Sequence, residues 1–537
     1  MNVLLSLPPA NIYPQAKTPL KDASRISIIP VQKSMEEYLA EVRRLFSHEL
    51  EAPHLYDLST GLQSELKDRL QCSDISMLPS YHHTLPSGDE QGTFLALDVG
   101  GSNFRLALIE LNGKAAASEE QRMRVRHSLC FPIDAQVRAL RGQAFFDWMA
   151  DRIEETLASD NHKSISTTSP DKPLLMGLAW SFPIEQTSAR SGHLLAMGKG
   201  FSATVGVQGQ DLCELIMAPC RKRGLNVKLQ SLVNDSSATL LSQAYREPTT
   251  RMSLILGTGT NSSIYLPVSA LHPHKFGVRP SSWHEVAEHV VINTELSMHG
   301  KPVWPLTRWD QALNAAHQLP DFQPFEHLVG GRYLGEIARL ILLEAICEAG
   351  MFDGEIPAKI DEPYFLNSSV LAAFEDDITP DLSLASKTFT SAHAMSRSPT
   401  RSELFAIRDI ATLVSTRAAA YEAAAVHALW ELRCHEEAQL KSKLSTMING
   451  SHKTHLTLEQ MRVTIACNGS ILEKWPRFRE RCQAHLDALT AISLRDHTNN
   501  FGSRKSHKGI VELRIAHESS MFGAAVAAAS CGEEDET

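Results

Sequence analysis

Two kinds of hydrophobic periodicity occur along the chain, and together they predict a mixed α/β protein. Short apolar runs rich in β-branched and aromatic residues predict strands at 94–97, 104–111, 174–179, 227–233, 253–256, 263–268, 463–466 and 511–515. Apolar residues spaced three and four apart predict helices at 59–70, 144–157, 210–223, 333–348, 407–431 and 520–529. A further helix is predicted to begin at Ser34, which forms a capping box with Glu37. Polar stretches without periodicity, at 159–172, 378–400 and 438–458, are expected to be loops.

The strand pair at 94–97 and 104–111 is separated by a tight polar turn. The turn is Gly100-Gly101-Ser102-Asn103, and Asp98 closes the first strand. This pattern is typical of a hairpin. Glycines leave backbone N–H groups unobstructed, so successive amides in such a turn can converge on an anion such as a phosphate. The same residues also fit an ordinary hairpin turn.

A second strand–turn–strand segment lies further along the chain. Its turn contains Gly257-Thr258-Gly259-Thr260-Asn261, between the strands predicted at 253–256 and 263–268. The similarity to the first segment indicates a distant internal repeat. Two copies of a phosphate-type hairpin predict two similar α/β lobes that face a shared cleft.

Composition places the chain among large globular proteins. It has 537 residues, enough for two or more domains, and its 43% hydrophobic and 21% charged residues can bury sizeable cores. The formal net charge is -10, without a dense Lys/Arg block, so nucleic acid and anionic membranes are not expected partners. No apolar run approaches the roughly 18 residues that span a bilayer.

Cysteines and the first residues bear on the compartment. The nine cysteines are scattered without metal-ligand spacing, which favours a reducing, cytoplasmic location. Residues 1–30 contain four prolines and are predicted to be a disordered leader, not a secretory signal. Three basic residues in this leader, Lys17, Lys21 and Arg25, leave mitochondrial association open. Nuclear association is also left open.

Asp235 is the first candidate for chemistry. It follows a predicted strand and opens a predicted helix, so its carboxylate is expected at the carboxyl end of a strand, where ligands bind in open α/β sheets. A carboxylate there can accept a hydroxyl proton during phosphoryl transfer. The alternative is that Asp235 only caps the helix.

Three further charged residues are candidates for binding. Glu295 and Glu326 are separate acids that can bind sugar hydroxyls, or can be solvated surface acids. Lys199 lies between two glycines, which suits a backbone close to a ligand and equally suits a plain turn.

Nine motifs occur in the order seen in hexokinases. They are LPSGDEQGTFLALDVGGSNFRLAL (85–108), SFP (181–183), GKGF (198–201), VNDSSATL (233–240), LILGTGTN (254–261), VVINTE (290–295), FEHLVGGRYLGEIARLIL (325–342), VSTRAA (414–419) and NGS (468–470). The chain therefore resembles the hexokinase family from about residue 35 to about residue 530, and in particular the single-unit hexokinases of fungi.

The resemblance implies an actin-like ATPase-domain fold, of the ribonuclease H-like kind, with two lobes around a central cleft. Residues 31–233 would be the N-terminal half and 234–531 the C-terminal half. The small lobe would comprise about 91–233 with 516–531, and the large lobe about 31–90 with 234–515. An acidic tail, 532–537, would follow.

The resemblance also implies roles for individual residues. Asp235 would be the catalytic base toward the 6-hydroxyl of a hexose, with Lys199 as a second catalytic residue. The other residues lining the sugar pocket would be Ser181, Asn234, Asn261, Glu295 and Glu326. The nucleotide would be held by Asp98, Gly100, Gly101, Ser102, Asn103, Arg105, Gly257, Thr258, Gly259 and Ser520. ATP would carry its own Mg²⁺, and no metal site of the protein itself is implied.

Four departures from the family pattern affect these expectations. Residues 197–201 read MGKGF where hexokinases have Trp-Thr-Lys-Gly-Phe, so a sugar-contacting threonine is absent. Leu296-Ser297 replaces Trp-Gly, and Ala238 replaces a glycine near the base. In the nucleotide loop, residues 518–523 read ESSMFG where the family has Asp-Gly-Ser-Gly-Lys-Gly. Two glycines and a lysine are thus lost where ATP is expected.

Three functions fit the sequence to different degrees. The leading one is a hexokinase that phosphorylates glucose or a related hexose at the 6-hydroxyl and feeds glycolysis. The second is a weakly active or inactive hexokinase-like glucose sensor, for which a regulatory protein partner is expected. The third, an actin-like scaffold, leaves the retained polar pocket unexplained.

Overall fold

The computed structural model describes residues 33–159, 172–198, 200–449, 456–497 and 509–531. The predicted leader 1–30, the acidic tail 532–537, Lys199 and nearly all of the polar stretch 159–172 lie outside these residues. The strands are β1 (Leu78–Pro79), β2 (Gln91–Val99), β3 (Asn103–Asn112), β4 (Met123–Pro132), β5 (Leu174–Trp180), β6 (Ile184–Gln186), β7 (Gly192–Leu194), β8 (Val227–Val233), β9 (Thr250–Leu256), β10 (Thr260–Pro267), β11 (His289–Asn293), β12 (Val463–Asn468) and β13 (Val511–Ile515).

Helices surround these strands. They are α1 (Met35–Ser47), α2 (Ala52–Cys72), α3 (Glu119–Arg122), α4 (Ala135–Arg138), α5 (Gln143–Ser159), α6 (Leu212–Lys222), α7 (Asp235–Arg246), α8 (Ser281–Val286), α9 (Arg308–Ala316), α10 (Glu326–Val329), α11 (Gly331–Ala349), α12 (Ser368–Asp376), α13 (Ser383–Ala392), α14 (Arg401–Asn449), α15 (Leu458–Met461), α16 (Ser470–Lys474), α17 (Phe478–His497) and α18 (Ser519–Ser530). None of the helices in the described part of the chain has the combined length and apolarity that crossing a membrane requires.

The first sheet has the strand order β4-β3-β2-β5-β8. Strands β2 and β3 form the predicted antiparallel hairpin, with Asp98 opposite Arg105 and Val99 opposite Phe104. Strands β5 and β8 continue the sheet parallel to β2. Central strands of this kind are buried on both faces, which explains why β5 reads as a continuous apolar run.

The second sheet repeats the first. Its order is β1-β11-β10-β9-β12-β13, in which β9 and β10 form an antiparallel hairpin and β12 and β13 run parallel to β9. Apart from the short edge strand β1, the strands match those of the first sheet in order and direction. The predicted internal repeat is therefore confirmed.

Two helices are exchanged between the sheets. Helix α7 follows β8 of the first sheet but packs on β9 and β10 of the second. Helix α18 follows β13 of the second sheet and packs on β2 and β5 of the first. The two helices also contact each other so closely that a Cβ atom on Gly523 would lie 1.9 Å from the backbone oxygen of Ala238. Their apolar residues form a separate core between the sheets.

The remaining apolar residues form two larger cores. One lies on the other face of the first sheet, under α5 and α6. The other joins the second sheet to the helices of the C-terminal half and to α1 and α2. The capping box at Ser34 is present, and it begins α1 as predicted.

Several element predictions were wrong or incomplete. Helix α14 extends to Asn449, so residues 438–449 are helical and not a loop, and α13 occupies part of the stretch 378–400. Helix α13 buries only Ala385 and Phe389, which gives too short an apolar pattern to detect. Helix α17 and strands β4 and β11 were not predicted; β4 has few buried residues because it forms a sheet edge.

Replacing Gly523 with alanine should lower the free energy of unfolding by about 2 to 3 kcal/mol, because the new Cβ would collide with the backbone of α7. Urea unfolding followed by circular dichroism measures this loss. Gly61→Ala, in α2, is a matched control, since its Cβ would meet the Val303 methyl groups at 3.5 Å, an ordinary contact, and alanine favours a helix. Equal stability of the two variants would contradict the proposed close contact.

Candidate active site

Asp235 lies at the carboxyl end of the first sheet, as predicted. It is the first residue of α7, and Ser181, which follows the neighbouring strand β5, donates a hydrogen bond to its Oδ2 at 3.1 Å. The helix is capped by Asn234, whose Oδ1 accepts the N–H of Ser236 at 2.9 Å. Asn234 is thus the N-cap residue, although Asp235 Oδ1 also accepts the Ser236 N–H, at 2.7 Å. Ser181, Asn234 and Asp235 lie together.

Asp98 and Arg105 form the second charged group of the site. Arg105 donates through Nε to Asp98 Oδ2 at 2.9 Å and through a second, shorter contact, and its Nη1 lies 3.2 Å from Glu518 Oε2. Although burial disfavours its charge, the two carboxylates raise the pKa of Arg105. Burial raises the pKa of Asp98, against the pull of Arg105, and the nearby Asp235 acts in the same direction as burial. Asp98 and Asp235 thus share one electrostatic environment.

Each of the two glycine turns is closed by a hydrogen bond from its first glycine. Gly100 donates its N–H to the Asn103 oxygen at 3.0 Å, and Gly257 donates to the Gly259 oxygen at 2.9 Å. The amide of the first glycine is therefore engaged within each turn. The first turn is further held by Arg138, whose Nη2 donates to the Gly101 oxygen at 2.9 Å.

Glu326 joins the second turn to the helices that follow it. It begins α10, and its Oε2 accepts the N–H of Thr260 at 3.1 Å. A Cβ atom on Gly259 would lie 2.0 Å from that Oε2, so the carboxylate can approach only because residue 259 is glycine. The Thr258 oxygen accepts the N–H of Arg332 at 3.3 Å, which places Gly257 to Gly259 against the start of α11.

Glu295 and Asn261 are linked by a residue that sequence reasoning missed. Asn261 Nδ2 donates to Asn293 Oδ1 at 3.0 Å, and Asn293 Nδ2 donates to Glu295 Oε1 at 2.8 Å. Asn293 ends β11, two residues before Glu295. Its place in the motif VVINTE was the sequence feature from which this role could have been predicted. Glu295 itself has a left-handed backbone, with φ of 50°.

A polar cavity of about 240 Å³ lies on the predicted nucleotide side. It is lined by Arg105, Asn468, Gly469, Ser470, Glu473, Lys474, His517 and Glu518. Of the predicted nucleotide residues, Arg105 borders it. Ser520 is buried in the first turn of α18 and does not line it.

The altered nucleotide loop packs inward. Phe522, which replaces the basic residue of the family, is buried, with the guanidinium carbon of Arg246 5.3 Å from its ring centre. Lys199 lies outside the described residues, but Gly198 and Gly200 on either side have φ of 65° and 79°. Both conformations favour glycine, which explains the spacing Gly-Lys-Gly.

A buried acid beneath the second turn was also missed. Glu422 is inaccessible within α14, and Thr260 Oγ1 donates to its Oε1 at 3.3 Å. Burial raises the pKa of Glu422 to about 8, and the threonine hydrogen bond opposes this only partly. The signal was an acid in the otherwise apolar stretch 418–426 of α14, between Tyr421 and Ala423.

Comparison with known proteins gives the same picture over nearly the whole chain. Two family descriptions named hexokinase match residues 41–245 and 251–530. Hexokinase-1 of Spinacia oleracea is 29% identical over 90% of this chain and 87% of its own. Hexokinase-1 of Schizosaccharomyces pombe is 28% identical over 90% of this chain and 91% of its own.

A solved structure is also similar. The hexokinase from Schistosoma mansoni complexed with glucose is 26% identical and superposes with a TM-score of 0.71, covering 93% of this chain and 100% of that one. The predicted actin-like fold with two lobes around a cleft is confirmed. The plant and yeast relatives match about equally, so the narrower resemblance to fungal hexokinases stays a prediction.

Replacing Glu422 with glutamine should stabilise the protein more at pH 8 than at pH 5. The folded state keeps a proton on Glu422 up to about pH 8, whereas the unfolded chain releases it near 4.5. Stability from this group is therefore fully present below pH 4.5 and is lost as the pH rises to 8. The advantage of Glu422→Gln, measured by urea unfolding, should grow by a few kcal/mol over this range.

The exposed Glu480 provides the control for this experiment. Glu480→Gln makes the same change of side chain at an exposed site, so it should not show the growing advantage expected of Glu422→Gln. A constant or shrinking advantage of Glu422→Gln as the pH rises would show that the buried acid is not held neutral.

Proposed function

This chain belongs to the hexokinase family, and on that premise we propose that it transfers the terminal phosphoryl group of ATP to the 6-hydroxyl of a hexose, with glucose the expected substrate. The observation that carries the proposal is that Asp98, Ser181 and Asp235 lie at the carboxyl ends of three consecutive parallel strands, β2, β5 and β8, where Ser181 holds Asp235 and Arg105 pairs with Asp98. A base and a hairpin suited to phosphate thereby face the same cleft.

In the proposed reaction Asp235 accepts the proton of the 6-hydroxyl. The sugar oxygen then forms a bond to the γ-phosphorus while the bond from that phosphorus to the β,γ-bridging oxygen breaks, and ADP leaves. Ser181 holds the carboxylate in place through Oδ2. Such a reaction depends mainly on positioning and on stabilisation of charge, so fixed hydrogen bonds to the base matter.

We assign hexose binding to Asn261, Glu295 and Glu326, together with Asn234. Carboxylates accept charge-assisted hydrogen bonds from several hydroxyl groups, which suits a polyol. Asn293 orients the first two residues through its amide. Glu326 is fixed to the second turn through Thr260. The sugar site thus borders the turn proposed to hold phosphate.

We assign the cavity beside Arg105 to part of the nucleotide, which brings Mg²⁺ with it. The polar groups and the cations Arg105 and Lys474 suit a phosphate-bearing ligand. Gly469 brings this wall against the second turn, since a Cβ there would lie 2.3 Å from the Leu256 oxygen. Mg²⁺ bound to ATP supplies charge neutralisation at the transferred phosphate.

A second candidate function is a glucose sensor with little or no catalysis. It rests on the loop 518–522, where Phe522 faces inward and no basic residue follows Glu518 before Gly523. A regulatory protein partner and a cytoplasmic location remain predictions from sequence. The retained base, sugar-binding acids and hairpins favour the enzyme.

Replacing Asp235 with alanine should lower the rate of glucose 6-phosphate formation by about a thousandfold or more, because the general base is lost. A coupled assay with MgATP and glucose measures the rate. Glucose should still raise the melting temperature of the variant, because other residues hold the sugar. Asp211→Ala is the control: Asp211 caps α6 by accepting the N–H of Glu214 at 2.8 Å, so its loss should cost stability but not rate.

The wild type decides between the two candidate functions. Product formation establishes the enzyme. If glucose raises the melting temperature but no product forms at any ATP concentration, the enzyme proposal is wrong and the sensor stands. If glucose neither stabilises the protein nor is phosphorylated, both are wrong.

A further inference from the structure

The loop that carries Glu295 is anchored from behind by two side chains, His299 and Glu65. Glu295 has a left-handed backbone and is followed by a single 3₁₀ turn, Leu296–Met298. Left-handed backbone costs free energy for a residue with a side chain, so it persists only where neighbouring contacts fix it. His299, directly after this turn, is buried.

Both ring nitrogens of His299 face oxygen acceptors. Nε2 lies 3.2 Å from the backbone oxygen of Thr294, and Nδ1 lies 3.4 Å from Oε1 of Glu65 on α2. The ring thus bridges the peptide that precedes Glu295 and helix α2.

Glu65 holds the loop at a second point. Its Oε2 accepts the N–H of Gly300 at 2.9 Å. Burial alone would raise the pKa of Glu65, but the hydrogen bonds from His299 and Gly300 and the charges of His299 and Arg69 bring it below its usual value. The ionised form of Glu65 is thus the one that fits this loop.

The other end of this arrangement reaches the sugar site. Thr294 donates its N–H and its hydroxyl to the Ser262 oxygen, at 3.0 and 2.8 Å. Ser262 follows Asn261, and Thr294 precedes Glu295. These hydrogen bonds therefore join the backbone next to one proposed hexose-binding residue to the backbone next to the other. The carbonyl bound by His299 belongs to the peptide that leads into Glu295.

We propose that His299 and Glu65 are positioning residues for hexose binding, which hold Glu295 in its binding orientation through the backbone of residues 294–300. The proposal rests on the assignment of Glu295 to the hexose site. Neither residue takes part in the chemical step, so the pair acts on hexose affinity more than on turnover.

A cavity of about 500 Å³ opens onto Glu65, and its lining also includes Met298 and Lys301. The other charged groups around Glu65 are Arg69, at 3.7 Å, with Asp68, Lys301 and Asp321 at the cavity wall.

His299→Gln and Glu65→Gln should each weaken glucose binding about tenfold, with kcat within about twofold of the wild type. Calorimetric titration with glucose measures affinity without turnover, and the coupled assay gives KM and kcat. Arg69→Gln is the control, since it removes a charge next to Glu65 that does not contact the loop.

The outcomes separate this proposal from the proposed function. If the wild type binds glucose and both glutamine variants bind it equally well, the positioning role is wrong while the hexose site stands. The role is also wrong if kcat falls by as large a factor as Kd rises. If the wild type binds no hexose by calorimetry, the assignment of the sugar site fails and the positioning role fails with it.

Discussion

The close crossing of α7 and α18 is the constraint on which the rest of the structure depends. Each helix leaves the last strand of one sheet and packs on the other, so neither sheet has a complete core without its partner. The backbones can meet only because residue 523 is glycine and residue 238 is small. Asp235 and Glu518 sit at or beside the first residues of these helices, so the crossing also sets the distance between the proposed base and the nucleotide side.

The site assembled around this crossing is rich in acids. Arg105 contacts Asp98 and Glu518, Asp235 acts on Asp98, and Glu295 and Glu326 are held next to strands of the second sheet. Each described acid is held by a specific donor: a serine hydroxyl, a guanidinium, an asparagine amide or a backbone N–H. The orientation of such carboxylates is already fixed in the folded protein. Binding of hydroxyl groups, as proposed, would therefore cost little additional conformational entropy.

Much of the fold and of the site could be predicted from the sequence because it depends on local patterns of residues. The hairpin at Gly100 to Asn103 has both its glycines and its flanking apolar alternation in adjacent residues, and the repeat at Gly257 could be found by likeness to it. Asp235 was placed at a strand end because the strand and the helix are contiguous. In each case the interactions that decide the structure lie within about ten residues of one another.

Contacts between distant segments could not be read in the same way. The exchange of α7 and α18 between sheets depends on Gly523 meeting Ala238, and Glu422 is buried by a turn far away in sequence. Helix α17 was missed although residues such as Cys482 and Leu486 are buried at helical spacing, because its mean composition is polar. Asn293 was missed because its role is to join Asn261 to Glu295 by hydrogen bonds, and the sequence does not show which residues an amide will join.

The inward-facing Phe522 has a consequence for the electrical character of the nucleotide side. The buried Phe522 adds no charge to this wall, where Glu473 and Glu518 stand beside Arg105 and Lys474. The wall therefore has no excess of fixed positive charge to offset that of a bare polyphosphate. A polyphosphate that arrives already bound to a divalent ion brings its own counter-charge. On the proposed assignment of this cavity to the nucleotide, the wall would favour the metal-bound form, and the occupancy of the pocket would then depend on the free divalent cation around the protein.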